Sequence, residues 1–302
     1  MQKEQSEQAE VVPPMSLEAL IGLLELEPIE VNLFRGQTLG GGFVFGGQVL
    51  GQALIAAART VDAGRLPHSL HGYFLRPGNA EMPILFEVDR IRDGKSFTTR
   101  RVVAIQNSKA IFNMAVSFHG PEQGFEHQAD MPIVSTPEGI PSDRERWDAL
   151  RKLRPELDNM GGRWRWPIET RHIEWSDPFD QKAHPPFQHV WVKAMGLVGE
   201  DQVMQRALLA FASDMGFMGT TMRPHAEAGF DQVQGASLDH AIWFHAPIDM
   251  SEWHLYENVS TWAGDARGYV RGSFYTESGR LVASTTQECL IRPRPTKNEL
   301  TE

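Results

Sequence analysis

A single carboxylate, Asp214, lies inside the apolar stretch LLAFASDMGF. At helical spacing Asp214 shares one stripe with Ala207 and Ala210, and this stripe is expected to face a core. Burial of an ionised carboxylate costs free energy unless the group is hydrogen-bonded or paired. Asp214 is therefore a candidate general base or water-orienting group. The alternative is a residue that ends a helix just before Gly216.

Two further polar residues lie on strand-like segments of the second half of the chain. Gln287 in LVASTTQECLIR shares a face with small or apolar residues at alternate positions, namely Leu281, Ala283, Thr285, Cys289 and Ile291. Ser237 opens the strand-like segment SLDHAIWFHAP, and Asp239 beside it is a rival acid. The alternatives are a glutamine bonded to backbone at a strand end and a serine that forms a turn or cap.

Other common site types are absent from the sequence. It contains no G-x-S-x-G, no G-x-x-x-x-G-K-[ST] and no H-E-x-x-H motif. One cysteine cannot build a zinc knuckle. The closest strand-borne histidine pairs, His68 with His71 and His240 with His245, are predicted to be hydrogen-bonded structural residues. No metal and no cofactor is expected.

The composition limits the partners and the compartment. The net charge of −10 disfavours non-specific nucleic-acid binding, and no apolar run is long enough for a membrane span. The single cysteine, Cys289, excludes an internal disulfide and fits a reducing compartment. The polar start MQKEQSEQAE is unlike a secretory signal, and the end NELTE is unlike a peroxisomal address. We therefore expect a cytoplasmic protein.

The first half of the chain reads as helices followed by strands. Ser16 is predicted to cap a helix in SLEALIGLLEL that Pro28 stops, and the glycine-rich GGFVFGG leads into a second, apolar helix. Four strands follow: HSLHGYFLRP, MPILFEVDRI, KSFTTRRVVAI and AIFNMAVSF. Asp93-Gly94 and Asn107-Ser108 predict tight hairpins between them.

The second half reads the same way after a segment rich in Pro, Gly and charge, which is predicted to be a linker with a short helix near Trp147. Its elements are IETRHIEW, QHVWVKAMG, a helix from Asp201 to Asp214, and four strands: SLDHAIWFHAP, WHLYENVSTW, ARGYVRGSFYT and LVASTTQECLIR. In the third of these, small or apolar residues alternate with polar ones, and glycines on the apolar face would let a helix or an acyl chain approach closely.

The two series are spaced as copies of one unit. Phe74 and Phe244 match at an offset of 170 residues (244 − 74), and the same offset aligns Gly94 with Gly264 at equivalent hairpins. The helix of the first copy contains no Asp or Glu where the second has Asp214, which suggests a function kept in one copy. A helix followed by an antiparallel meander predicts an α+β fold with a sheet curled around each helix.

Several motifs together resemble the acyl-CoA thioesterase II family. They are FGGQVLGQAL, HSLHGYFLRPG, RDGKSFTTRRVVAIQ, GFEHQ, SLDHAIWFH, ARGYVRGSFYTESG and LVASTTQE, in this order between about residues 17 and 293. The resemblance implies a double hotdog, that is, two antiparallel sheets each wrapped around a long helix. The expected division is a disordered N-terminus (1–15), a first hotdog (16–120), a linker (121–165), a second hotdog (166–295) and a C-terminal tail (296–302).

The resemblance also implies a reaction and its residues. Such enzymes hydrolyse fatty acyl-CoA to free acid and CoA without a metal or covalent intermediate, and commonly form homo-oligomers. An Asp, a hydroxyl residue and a Gln hold the attacking water; by motif these fall on Asp214, Ser237 and Gln287, where Ser237 replaces the more usual Thr. Backbone N–H groups near Gly46 and Gly47 are a candidate oxyanion hole. The cationic candidates for the CoA phosphates are Arg92, Lys95, Arg100, Arg101, Arg267 and Arg271; the alternative, which explains them equally well, is a solvated sheet face.

Two other functions stay open from the sequence. A double-hotdog enoyl-CoA hydratase uses an Asp with a His five residues later, whereas this chain has Gly219 at that place. A non-catalytic sensor could bind acyl-CoA in an apolar tunnel lined by the small residues of the inner sheet face, although an intact Asp, hydroxyl and Gln set argues against it.

Overall fold

The computed structural model describes residues 15–39, 42–154, 157, 166–177, 179, 182–228 and 232–294. The predicted disordered start and C-terminal tail thus lie outside the described residues, apart from Met15. Within the described part, thirteen strands form one continuous sheet in which neighbouring strands are antiparallel. Helices pack against this sheet, so the α+β prediction is confirmed.

The first half closely follows the predicted order. Its elements are α1 (Leu17–Leu24), β1 (Glu27–Glu30), β2 (Leu33–Gly36), α2 (Gly46–Ala58), β3 (Leu66–Phe74), β4 (Ile84–Asp93), β5 (Phe97–Gln106) and β6 (Lys109–His119). Ser16 caps α1 by accepting the N–H of Ala19. The prediction that Pro28 stops this helix is wrong, because Glu25 already has an extended backbone and Pro28 lies in β1.

The second half contains α3 (Asp143–Leu153), β7 (Ile168–His172), β8 (Phe187–Ala194), α4 (Gln202–Ser213), α5 (Phe217–Met222), a 3₁₀ turn (Arg223–Ala228), β9 (Val233–Ser237), β10 (Asp239–Phe244), β11 (His254–Gly264), β12 (Arg267–Thr276) and β13 (Leu281–Pro293). The short helix predicted near Trp147 is α3. The strand predicted to open at Ser237 is in fact two strands: Ser237 ends β9, and β10 begins after Leu238.

Strand order reveals the internal repeat. The sheet runs β1-β2-β4-β5-β6-β3-β10-β13-β12-β11-β8-β7, with β9 also paired to β13. The β3–β10 pair therefore joins two sets of strands. Counted outwards from this pair, the first set runs β3-β6-β5-β4-β2-β1 and the second set runs β10-β13-β12-β11-β8-β7, so each set has the same order of strands along the chain. Asn107 and Ser108 form a tight turn with positive φ before β6, which confirms that hairpin. Gly94 donates its N–H to Phe97, as a tight turn between β4 and β5 requires.

The two central helices, α2 and α4, pack directly against each other. Two glycines of α2 permit the approach: an added Cβ would lie 2.4 Å from the Phe211 carbonyl oxygen at Gly47 and 3.1 Å from the Ala207 oxygen at Gly51. The sheet of the first half contacts α2 through β2 to β6, as predicted. In the second half α5 contacts β8, β9, β11, β12 and β13.

The small residues on the inner face of β12 leave space for a neighbouring element of the fold. Gly268, Val270, Gly272 and Phe274 are buried, as their alternation predicts. A Cβ on Gly268 would lie 2.8 Å from Thr221 of α5. Of the two partners expected for this face, it is therefore a helix that fills the space at Gly268.

The described part of the 121–165 segment covers the opposite face of the second sheet half. Met131, Val134 and Ile140 pack against the buried cluster of Trp191, Leu255 and Tyr275. The Trp191 indole donates a 2.8 Å hydrogen bond to the Ser135 carbonyl. This segment therefore packs as part of the fold and supports the strands that lie over the candidate site.

Candidate active site

Asp214 lies where two helix ends meet. It ends α4, with helical backbone angles (φ −85°, ψ −7°), and Gly216 then turns the chain into α5 with φ +75°. The Asp214 side chain reaches the start of α2, where Oδ2 accepts the N–H of Gly47 at 2.9 Å. Phe45, the N-cap of α2, makes no capping bond with its own side chain. Asp214 therefore ends one helix and caps another.

The Asp214 carboxylate faces the start of one helix and lies at the end of another. The first amides of α2 present the positive end of its dipole to Asp214, which counteracts the negative end of α4. The contact is close: a Cβ on Gly46 would lie 2.7 Å from Asp214 Oδ2. Gly46 thus makes room for the carboxylate, and Gly47 supplies the donor. Because Gly47 already donates to Asp214, it is not free to act as the oxyanion donor that the sequence suggested.

Ser237 and Gln287 meet at this same place from two adjacent strands. Ser237 at the end of β9 is paired with Cys289 of β13, two residues beyond Gln287. The Gln287 amide donates to Ser237 Oγ at 3.0 Å, and Ser237 Oγ donates to Asp214 Oδ1 at 3.5 Å. The structure thus brings the three sequence-predicted residues together. The longer Ser237–Asp214 contact is at the limit of a direct hydrogen bond.

Two buried side chains support this arrangement from behind. The Tyr256 hydroxyl donates to the Ser213 carbonyl at 3.0 Å and lies 3.0 Å from Thr285 Oγ1, so it fixes the last turn of α4 beside Asp214. His240 of β10 lies 2.6 Å from Gln287 Oε1 through Nδ1. Burial lowers the pKa of His240 to about 4, so the ring is neutral at pH 7.

His240 is a further neighbour of the candidate site, for which the sequence predicted only a structural role. It is hydrogen-bonded, as predicted for the strand histidines, but its partner is the candidate glutamine. The rival acid Asp239 points elsewhere: its Oδ1 accepts the backbone N–H of Glu288 at 2.6 Å, and burial raises its pKa. Asp239 therefore acts as an acceptor for a backbone N–H and takes no part in the Asp214–Ser237–Gln287 group.

The cationic candidates are only partly available for an anionic ligand. Arg100 is 1% exposed and donates to Thr60 and Asp93, so it is a structural residue and the prediction for it is wrong. Arg101 pairs with Asp89 on the surface. Among the described residues, no group of three or more His, Cys, Asp or Glu side chains is placed to hold a metal ion. No described helix has the length and apolar character to span a membrane.

Comparison with known proteins now decides the family. A sequence model of the acyl-CoA thioesterase family matches residues 159–290, and one of the acyl-CoA thioesterase N-terminal domain matches residues 35–119. Acyl-CoA thioesterase 2 of Haemophilus influenzae is 40% identical over 280 residues, which cover 91% of this chain and 98% of that protein. The chain belongs to the acyl-CoA thioesterase family. It is accordingly a thioester hydrolase.

Solved structures of similar proteins agree with this thioesterase assignment. An acyl-CoA thioesterase II from Mycobacterium marinum is 37% identical, with a TM-score of 0.76 over 92% of this chain and 99% of that one. A protein described as having a hot dog fold, from Alicyclobacillus acidocaldarius, has a TM-score of 0.72 at 19% identity over 92% of this chain and 99% of that one, a likeness of fold alone. The thioesterase chain described here therefore has a hotdog-type fold.

Proposed function

We propose that this thioesterase hydrolyses fatty acyl-CoA to free fatty acid and CoA by direct attack of a water held by Asp214, Ser237 and Gln287. The observation that carries the proposal is their convergence. Gln287 donates to Ser237 at 3.0 Å and Ser237 to Asp214 at 3.5 Å, although the three residues come from a helix end and two strands. Within this group Asp214 supplies the base, and the other two supply orientation.

In the proposed reaction, the water lies against Asp214 Oδ1 and the Ser237 hydroxyl. Asp214 takes a proton as the water oxygen bonds to the thioester carbonyl carbon. The tetrahedral intermediate then collapses with cleavage of the C–S bond, and the proton held by Asp214 passes to the sulfur of CoA. No bond to the protein forms at any step.

The developing oxyanion needs donors that are not already used. Gly47 donates to Asp214, which leaves Gly46 as the remaining candidate among the two glycines at the start of α2. An amide at a helix N-terminus is suited to this role, because the dipole and the N–H direction both favour negative charge.

The alternative functions fit the geometry less well. A hydratase needs a His five residues after the acid, and Gly219 within α5 occupies that place. His240, the histidine bonded to the candidate site, is fully buried behind Gln287. A non-catalytic sensor would give no reason for a base, a hydroxyl and an amide to converge.

Asp214→Asn tests the proposal, because Asn is an equally good helix cap but cannot act as a base. We expect kcat to fall by about a hundredfold or more, since a general base contributes on that scale, while acyl-CoA still binds. Release of free CoA from acyl-CoAs of graded length, followed with a thiol reagent, measures the effect. Near-normal turnover by a variant with an unchanged thermal midpoint contradicts the proposal.

We also infer that the two strand sets are two hotdog units in one chain, a first at 16–120 and a second at 166–295. The mirrored strand order around the β3–β10 pair supports this division. Assembly into a homo-oligomer, the cytoplasmic location and the absence of a nucleic-acid partner stay predictions from the sequence and the resemblance.

A further inference from the structure

His240 lies behind the candidate glutamine in a fully buried part of the sheet. It is 0% exposed, and each ring nitrogen has a partner. Nδ1 lies 2.6 Å from Gln287 Oε1, and Nε2 lies 2.9 Å from Ser213 Oγ. A continuous path of hydrogen bonds therefore runs from the last turn of α4 through His240 and Gln287 to Ser237.

Proton positions along this path follow from the chemistry of each group. An amide oxygen only accepts, so the His240 nitrogen facing Gln287 Oε1 carries the hydrogen. The ring is neutral, because burial lowers its pKa to about 4. The Ser213 hydroxyl lies 2.9 Å from both Nε2 and the Ala210 carbonyl oxygen. Because the one ring hydrogen is on Nδ1, Nε2 has only a lone pair, and the Ser213 hydroxyl is the donor that it faces. With Oε1 held by His240, the Gln287 NH₂ group must face Ser237, where it donates at 3.0 Å. Ser237 is then left to donate its own proton towards Asp214.

The first half of the chain shows that the fold itself does not require a histidine here. At the offset of 170 residues, the counterpart of His240 is Leu70, which pairs across the strands with Val116. Both are almost fully buried and apolar. By contrast, the register of β10 on β13 places His240 beside Gln287. Since a buried polar pair costs desolvation that an apolar pair avoids, its presence beside Asp214 calls for a role.

We propose that His240 is a positioning residue, which fixes the orientation of the Gln287 amide so that its NH₂ group faces Ser237 and the attacking water. This inference rests on the proposed function. Without the donor at Nδ1, the two ends of the Gln287 amide compete for Ser237. In the flipped orientation the amide oxygen accepts the Ser237 proton, so Ser237 no longer donates to Asp214.

A matched pair of variants separates this role from packing. In His240→Asn the side-chain nitrogen can take the place of Nδ1, whereas in His240→Gln it can take only the place of Nε2. We expect the Asn variant to keep kcat within about threefold of the wild type, and the Gln variant to lose about tenfold in kcat with little change in KM. Equal losses in two variants with similar thermal midpoints overturn the positioning role.

The same pair in a Gln287→Ala background tests the route of the effect. If His240 acts through Gln287, the Asn and Gln variants have the same kcat once the amide is removed. A difference that persists overturns the proposal. Full activity of Gln287→Ala alone would instead contradict the proposed function, and with it the role of His240. The two failures are therefore distinguishable.

A measurement on the wild type covers the case in which a variant does not fold. With ¹⁵N-labelled histidine, NMR at pH 7 reports which ring nitrogen carries the proton. The geometry predicts a neutral His240 ring with its hydrogen on Nδ1, which is the less populated tautomer of free histidine. A ring protonated at Nε2 only leaves Gln287 Oε1 without its donor and overturns the inference.

Discussion

At the scale of single residues, the proposed site depends on one rotatable hydroxyl. Ser237 is half-buried, accepts from Gln287 and donates towards Asp214. A serine hydroxyl has three staggered rotamers, and no β-methyl restricts the choice among them. The Gln287 amide and the Asp214 carboxylate must therefore hold the Ser237 side chain in place.

Ser237→Thr and Ser237→Ala form a matched test of this hydroxyl. We expect the Thr variant to be tolerated, with kcat within about threefold of the wild type, because the donor is kept and its rotamer is restrained. The Ala variant removes the donor and should lower kcat by about tenfold or more. Steady-state kinetics on one acyl-CoA measures both. Loss of activity in a folded Thr variant would show that the pocket has no room for the methyl group.

The residues of the candidate site differ in how well they could be predicted from the sequence. Asp214 and Gln287 could be found because each interrupts an apolar pattern that depends only on spacing along one element. His240 could not be found in this way, since its partner lies on β13 and the cross-strand register is not readable from one segment. A repeat alignment gives the missing signal: an apolar Leu70 in one copy and a polar His240 in the other.

At the scale of elements, the site depends on how closely α2 approaches α4. Gly47 serves both the packing and the chemistry, because it contacts Phe211 and donates to Asp214. The helices themselves were predictable from their apolar periodicity and caps. By contrast, α5 (FMGTTM) was not predicted, because six residues with a glycine and two threonines show no helical periodicity. The break at Leu238 was missed for another reason, because it depends on which neighbours β9 and β10 pair with.

Gly47→Ala should separate the two helices. The added methyl would lie 2.4 Å from the Phe211 carbonyl oxygen, which is backbone and cannot rotate away. We expect a loss of about 1–3 kcal/mol in the free energy of unfolding, as for other overpacked positions. Urea denaturation measures it. Gly22→Ala is the control, since α1 leaves open space there and alanine favours the helix. If Gly47→Ala is as stable as Gly22→Ala, close helix approach is not required.

At the scale of the whole molecule, the two halves have the same strand order but different side chains at equivalent buried positions. The counterpart of Arg100 at the 170-residue offset is Val270, and both are buried. In the first half the Arg100 guanidinium donates to Thr60, just beyond the end of α2. The second half has Asp214 at the end of α4 instead. In the second half the end of the central helix thus carries the proposed base, Asp214. In the first half the corresponding helix end is bonded to Arg100 and carries no base. The geometry therefore supports one proposed site per chain.

The whole molecule should also lose stability in mild acid, because several histidines are kept neutral by the fold. Burial lowers the pKa of His68, His240, His245 and His254. In the unfolded chain each takes up a proton below its ordinary pKa of 6.5, whereas His240 in the native state does so only near pH 4. The unfolded state then binds more protons, so stability falls as the pH drops from about 6.5 towards 4 and is fully present above this window.

His240→Asn isolates the contribution of one of these residues. For a pKa of 6.5 in the unfolded chain and about 4 in the native state, lowering the pH from 7 to 5 costs the wild type about 2 kcal/mol through His240 alone. The Asn variant, which does not titrate, should lose about that much less over the same range. Urea midpoints at the two pH values measure the difference, and the other three histidines cancel because they are common to both proteins. Equal losses in the two proteins would mean that His240 takes up its proton as readily in the native state as in the unfolded one. The neutral ring on which its hydrogen bonds to Ser213 and Gln287 depend would then be absent in mild acid.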